Sequence, residues 1–94
     1  MHVTIRRYSG SPDLADALVA RQGEVRDLIT GIAGFKAYYL VRGGDGEASS
    51  ISVFDDEAGG EESSRRAAAW LRESVPDLSV GPPEVTAGEA VLSF

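Results

Sequence analysis

The stretch from Gly34 to Asp56, GFKAYYLVRGGDGEASSISVFDD, limits the fold more than any other part of the chain. Two strand-like runs, 35–42 and 47–55, flank the glycine-rich GGDG at 43–46. Asp-Gly between β-prone runs predicts a hairpin, because both residues tolerate the positive φ of a tight turn. In the first run Phe35, Ala37, Tyr39 and Val41 share one face, and Lys36, Tyr38, Leu40 and Arg42 the other. In the second, Ile51 and Val53 oppose Ser50, Ser52 and Phe54. Large apolar groups therefore fall on both faces. A sheet with helices on one side and water on the other alternates more cleanly. A chain of 94 residues has little left to cover a second face. The pattern predicts a partner sheet from a second copy, hence a homodimer.

The flanking segments complete a small α+β domain. Residues 2–8 read as a first strand, with Val3 and Ile5 on one face and His2, Thr4, Arg6 and Tyr8 on the other. Ser11 is the expected cap of a helix over 12–30, with Pro12 in its first position and a stripe of Leu14, Leu18, Val25, Leu28, Ile29 and Ile32. Gly23 is its weak point, and Gly31 and Gly34 supply the stop and the turn. A second helix is expected to begin between 56 and 61, with Gly59-Gly60 favouring a longer loop before it. Glu61–Arg65 and Glu62–Arg66 would pair along it, and Ala67, Ala68, Leu71 and Val75 would be its buried stripe. Pro76 ends it, 76–84 is a loop, and 85–94 reads as a last strand with Gly88 marking a bulge. The order β-α-β-β-α-β predicts one ferredoxin-like domain over 1–94, a four-stranded antiparallel sheet with two helices on one face.

Charge and composition narrow the function. The formal net charge is −6, which repels a phosphate backbone. Neither basic pair, Arg6-Arg7 or Arg65-Arg66, makes a groove reader, so no nucleic-acid partner is expected. Cysteine is absent, which fits a reducing cytoplasm. No apolar run approaches membrane-spanning length, so a soluble cytoplasmic protein with no membrane partner is expected.

Chemistry-bearing residues are few. Asp55, Asp56, Glu57, Glu61 and Glu62 lack the spacing of a calcium loop and fit a solvated helix start. GGDG lacks the lysine and hydroxyl of a phosphate-binding loop and is a turn. His2, the single histidine, makes no credible Ser-His-Asp set. Arg6 and Arg42 are expected at edge or solvated positions, although either is able to pair with an acidic substrate. Tyr38 and Tyr39, as strand neighbours, face opposite sides; each is either a packed strand aromatic or a phenol in a pocket. Trp70 sits slightly off the helix stripe and is either a core side chain or the wall of a cavity between helix and sheet.

These features together resemble a known family. The ferredoxin-like unit, A-G-F at 33–35 leading into YYL at 38–40, the S-x-x-x-F-D-D segment ending at Asp56 and the tryptophan in the following helix are similar to the antibiotic biosynthesis monooxygenase superfamily. The likeness covers essentially the whole chain and is greatest to small bacterial members of the dimeric α/β-barrel type. It implies two sheets meeting face to face across a homodimer, with the helices outside. It also implies a cavity between helices and sheet that takes an aromatic, polyketide-like or haem-type molecule, which some members oxidise with molecular oxygen and no added cofactor. The chain has no asparagine and no histidine late in the second helix, both used by the haem-degrading branch, so haem degradation is not expected. For a cofactor-free oxygenase the resemblance singles out Trp70, Tyr38 and Tyr39 as catalytic candidates, with no cofactor or metal. Fold alone confers no chemistry, so a non-catalytic homodimer that binds a small apolar ligand or serves as an assembly subunit stands beside it.

Overall fold

The computed structural model describes residues 1–78 and 80–94; Ser79, within the expected loop 76–84, lies outside the described residues. In chain order the elements are β1 (His2–Tyr8), α1 (Leu14–Ala20), α2 (Gln22–Thr30), β2 (Phe35–Arg42), β3 (Ala48–Phe54), α3 (Glu57–Ser74) and β4 (Glu84–Glu89). The strands form one antiparallel sheet in the order β2-β3-β1-β4. This is the ferredoxin-like α+β arrangement, with its first helical segment in two pieces. The hairpin forms as its sequence demands. Asp45 and Gly46 take φ of 56° and 75°, and the Gly43 N–H donates to the Glu47 carbonyl at 2.9 Å.

Several local expectations are corrected. The helix over 12–30 breaks at Arg21 (φ −115°, ψ 30°), whose N–H closes a tighter turn onto the Leu18 carbonyl at 3.2 Å. Gly23, in the first turn of α2, adds no propensity to carry one helix through. Asp13 rather than Ser11 occupies the cap of α1, and the Ser11 carbonyl accepts from the Leu14 N–H at 3.1 Å. Arg65 meets Glu62 rather than Glu61, and Arg66 meets the same carboxylate at 3.2 Å. Gly88 pairs regularly with Val3; the irregularity lies in β2, between Phe35 and Ala37. The last strand ends at Glu89, so Val91, Leu92 and Phe94 lie beyond the sheet and are exposed.

The glycine pair is the most informative departure. Gly59 and Gly60 lie inside α3, which Asp56 caps by accepting from the Gly59 N–H at 3.2 Å. Both are buried against the sheet. A Cβ on Gly59 would stand 2.8 Å from the Phe54 ring, and one on Gly60 would stand 2.6 Å from His2 Cδ2 and 2.8 Å from Thr4 Oγ1. The pair weakens the helix intrinsically but lets its backbone touch the strands. The buried stripe accordingly starts with Gly59, Gly60 and Ser63; Ala68, expected in it, is exposed.

The two faces of the sheet differ in an unusual sense. Thr4, Arg6, Tyr8, Ala48, Ser50, Ser52 and Phe54 point toward the helices and are buried. Val3, Ile5, Ala37, Tyr39, Val41, Ile51 and Val53 line the other face, which no helix of this chain covers. Two apolar clusters flank the buried polar strip. One joins Tyr8, Leu14, Ala15, Leu18 and Ala48, and the other joins Ile29, Ile32 and Phe54.

The close approach of α3 has a measurable consequence. Gly59→Ala should lose roughly 1–3 kcal/mol through overpacking against Phe54, despite the better helix propensity of alanine. Gly23→Ala, whose Cβ meets nothing within 4 Å, should instead be neutral or gain up to about 1 kcal/mol. Urea unfolding of both variants checks this, and a Gly59→Ala protein as stable as the parent contradicts the contact.

Candidate functional site

The tight seating of α3 at its first turns places two serines over the centre of the sheet. Ser63, one turn beyond Gly60, donates to the Gly60 carbonyl at 2.8 Å and is fully buried. Beneath it lies Arg6, on the central strand β1 and 3% exposed, where sequence reasoning expected an edge or solvated position. Its Nη1 donates to Ser64 Oγ at 2.9 Å and Ser63 Oγ at 3.3 Å, and its Nη2 donates to Ser52 Oγ at 3.1 Å. Among the described residues no carboxylate pairs with it, and its Nε is buried without a partner. Arg42, by contrast, is exposed and pairs with Asp16.

Two spaces meet at this arginine. An inner cavity of about 30 Å³ is lined by Arg6, Tyr8, Tyr38, Ser50, Trp70 and the apolar residues of α1 and α2. An outer groove of about 660 Å³ runs between α3 and the segment that follows it, with Arg6, Tyr8, Leu71, Arg72, Leu78 and Val85 among its walls. Arg6, Tyr8 and Leu71 border both. Burial raises the Tyr8 phenol above its ordinary value of 10.0, and the Arg6 charge pulls it partway back. Burial also raises Tyr38, again opposed by Arg6, while Tyr8 adds to the rise. Both phenols are therefore neutral at neutral pH and available as hydrogen-bond donors.

Of the three residues singled out from the sequence, Trp70 and Tyr38 share the inner cavity. Tyr39 faces the uncovered side of the sheet opposite Ile51 and is 59% exposed, so it does not join them. Trp70 also packs against the Tyr8–Leu18 cluster, so its core and cavity readings both apply. His2 lines neither space, and the acidic cluster divides among the Asp56 cap, a Lys36–Asp55 ion pair at 3.1 Å and the Glu62 pairs. Sequence reasoning missed Arg6 and Tyr8 as cavity residues, and Ser52, Ser63 and Ser64 as partners of the guanidinium. Alternation had put Arg6 and Tyr8 on one face, but nothing in β1 alone tells which face the helices cover.

No family model and no curated protein matches the chain. Solved structures do. NE2512, a protein of unknown function from Nitrosomonas europaea, is 22% identical over 99% of this chain and 91% of its own, with a TM-score of 0.73. The heme-degrader MhuD from Mycobacterium tuberculosis, solved with two hemes bound in its active site, is 14% identical over 100% and 99%, with a TM-score of 0.73. SnoaB, a cofactor-independent oxygenase from Streptomyces nogalater, is 18% identical over 99% and 95%, with a TM-score of 0.65. At these identities the likeness is one of fold, and the resemblance to antibiotic biosynthesis monooxygenases holds at that level. Among the described residues no helix is long and apolar enough to cross a membrane.

The raised phenols couple to stability with a definite sign. A folded-state value above the unfolded one means the folded chain holds its proton longer, so the contribution is complete below about pH 10 and is lost as pH rises through the folded value. Thermal midpoints should fall above pH 10, and Tyr8→Phe and Tyr38→Phe together should flatten that fall. An unchanged slope in the double variant contradicts the burial of the two hydroxyls.

Proposed function

We propose that the protein binds an aromatic or polyketide-like molecule between α3, the following segment and the sheet, and oxidises it with molecular oxygen without a metal or flavin. The observation that carries this reading is the convergence of Trp70, Tyr38, Tyr8 and Arg6 on one interior space that adjoins a groove of about 660 Å³. The fold shared with a cofactor-independent oxygenase supports it. In such a reaction the ionised substrate gives an electron to oxygen. One oxygen atom ends as a carbonyl and the other leaves as water, carrying two hydrogens of the substrate. Neutral phenols suit orientation of the substrate oxygens, and the guanidinium suits stabilisation of the developing charge. The haem-degrading activity named for MhuD is not carried over, since asparagine is absent and His2 lies outside both spaces. A second reading, a non-catalytic ligand-binding homodimer, is favoured by the size of the inner cavity. At about 30 Å³ it is already nearly filled by side chains.

Oxygen uptake against a panel of quinols and anthrones, with no metal or flavin added, separates the two readings. Turnover that falls at least about tenfold in Trp70→Phe or Tyr38→Phe supports the first. Binding without oxygen consumption across the panel supports the second.

The same proposal includes assembly through the uncovered sheet face. Val3, Ile5, Tyr39, Val41, Ile51 and Val53 make a continuous apolar surface of the kind that monomers rarely leave to water. Sedimentation at micromolar concentration should give a dimer, and Ile51→Glu should give a folded monomer. A parent chain that sediments as a monomer removes this proposal.

A further inference from the structure

Arg6 poses a problem that the fold does not solve by itself. A buried guanidinium has lost its hydration, and the usual compensation is a carboxylate held in its fork. Here the compensation consists of three serine oxygens, all neutral. Those bonds occupy three of the five N–H groups a guanidinium carries. The Nε–H is left without an acceptor among the described residues. Nε and Nη2 are neighbours on one planar group, the edge that a guanidinium uses to hold an oxyanion.

The surroundings extend the pattern. The chain as a whole has 15 Asp and Glu against 9 Lys and Arg, yet neither space around Arg6 is lined by a single carboxylate. The groove instead carries a second cation, Arg72, in the last turn of α3. The rest of its lining is largely apolar, with Leu71, Val75, Leu78, Val80 and Val85. A ligand lying in the groove and reaching inward meets Arg6 where the two spaces join.

We propose that Arg6 is an anion-binding residue and that the ligand is an apolar molecule bearing one oxyanion, held from the Nε side of the guanidinium. Tyr8 and Tyr38 line the inner cavity with it as neutral phenols. The inference rests on reading the groove and inner cavity as the ligand site, and it specifies the charge of what enters them. It also bears on chemistry. Neither space is lined by a histidine or a carboxylate able to take a proton, so the substrate is one that is already ionised when it binds.

The test uses 2-naphthoate and its uncharged analogue 2-naphthamide, titrated calorimetrically and by quenching of Trp70, the single tryptophan. The parent chain should bind the acid at least about tenfold more tightly than the amide, the difference expected for a charge-assisted fork. Arg6→Met should abolish that preference. Arg6→Met leaves Ser63 bonded to the Gly60 carbonyl, and circular dichroism checks that the variant keeps the parent fold. Arg6→Lys, which keeps the charge and loses the fork, provides a second reading and should retain only part of the preference. Arg72→Gln should lower the affinity for the acid by less than Arg6→Met does. Equal affinity for acid and amide, a preference that survives Arg6→Met, or failure of the parent to bind either probe overturns the inference. An anion preference lost in Arg6→Met supports it even where no oxygen is consumed. Oxygen consumption with equal affinity for both probes overturns it and leaves the oxygenase reading standing.

Discussion

The contact on which the structure depends is that of the α3 backbone with the sheet at Gly59 and Gly60. No side chain separates the first turn of the helix from Phe54, His2 and Thr4. The helix is pinned there, and its next turn brings Ser63 and Ser64 onto Arg6. Burial along α3 is complete at Gly59, Gly60 and Ser63 and only partial at Ala67, Trp70 and Leu71. The space between helix and sheet therefore opens toward the carboxyl end of α3, where the inner cavity and the groove are found. A helix starting with two alanines would sit further out, and the serines would lose the arginine.

Electrostatically the molecule is inverted. Its surface is acidic, and its interior holds an unpaired cation in a cage of hydroxyls. Burial works on the neighbouring phenols in the opposite sense, keeping them protonated. The site thus offers one fixed positive charge and neutral hydrogen-bonding groups around it. That combination lends itself to holding a negatively charged oxygen, in a ground state or in a transition state where such charge develops.

The sheet shows the same inversion. Its helix-facing side carries Thr4, Arg6, Ser50 and Ser52, while its uncovered side carries Val3, Ile5, Ile51 and Val53. A small chain that spends its covered face on a polar strip has fewer apolar contacts there to stabilise it, and a large apolar surface left over. On the proposed reading this division would link function and assembly, the polar strip facing the ligand space and the apolar face a second copy.

The first three strands, the Asp45-Gly46 turn and most of the assignment of side chains to faces were legible in the sequence, because strand periodicity and turn chemistry are local properties; Phe35, expected beside Ala37 and Tyr39, is turned to the helix side against Phe54 by the irregularity in β2. Local rules misread Gly59-Gly60 as a helix breaker, since what the pair provides is proximity to strands more than 50 residues distant, at His2 and Thr4. They also placed Arg6 at an edge or in a solvated position, because alternation says which residues share a face and not which face the helices will cover. The choice between Tyr38 and Tyr39 was open for the same reason. Only the packing of α1, α2 and α3 onto one side turned Tyr38 inward with Trp70 and left Tyr39 exposed. By itself, then, the sequence determined the order of strands and helical segments and, Phe35 apart, the partition of the first three strands into two sides. The tertiary structure decided which side became the interior, and with it that a solitary guanidinium would be buried beside two phenols, because burial is a property of what meets a face and not of the face alone.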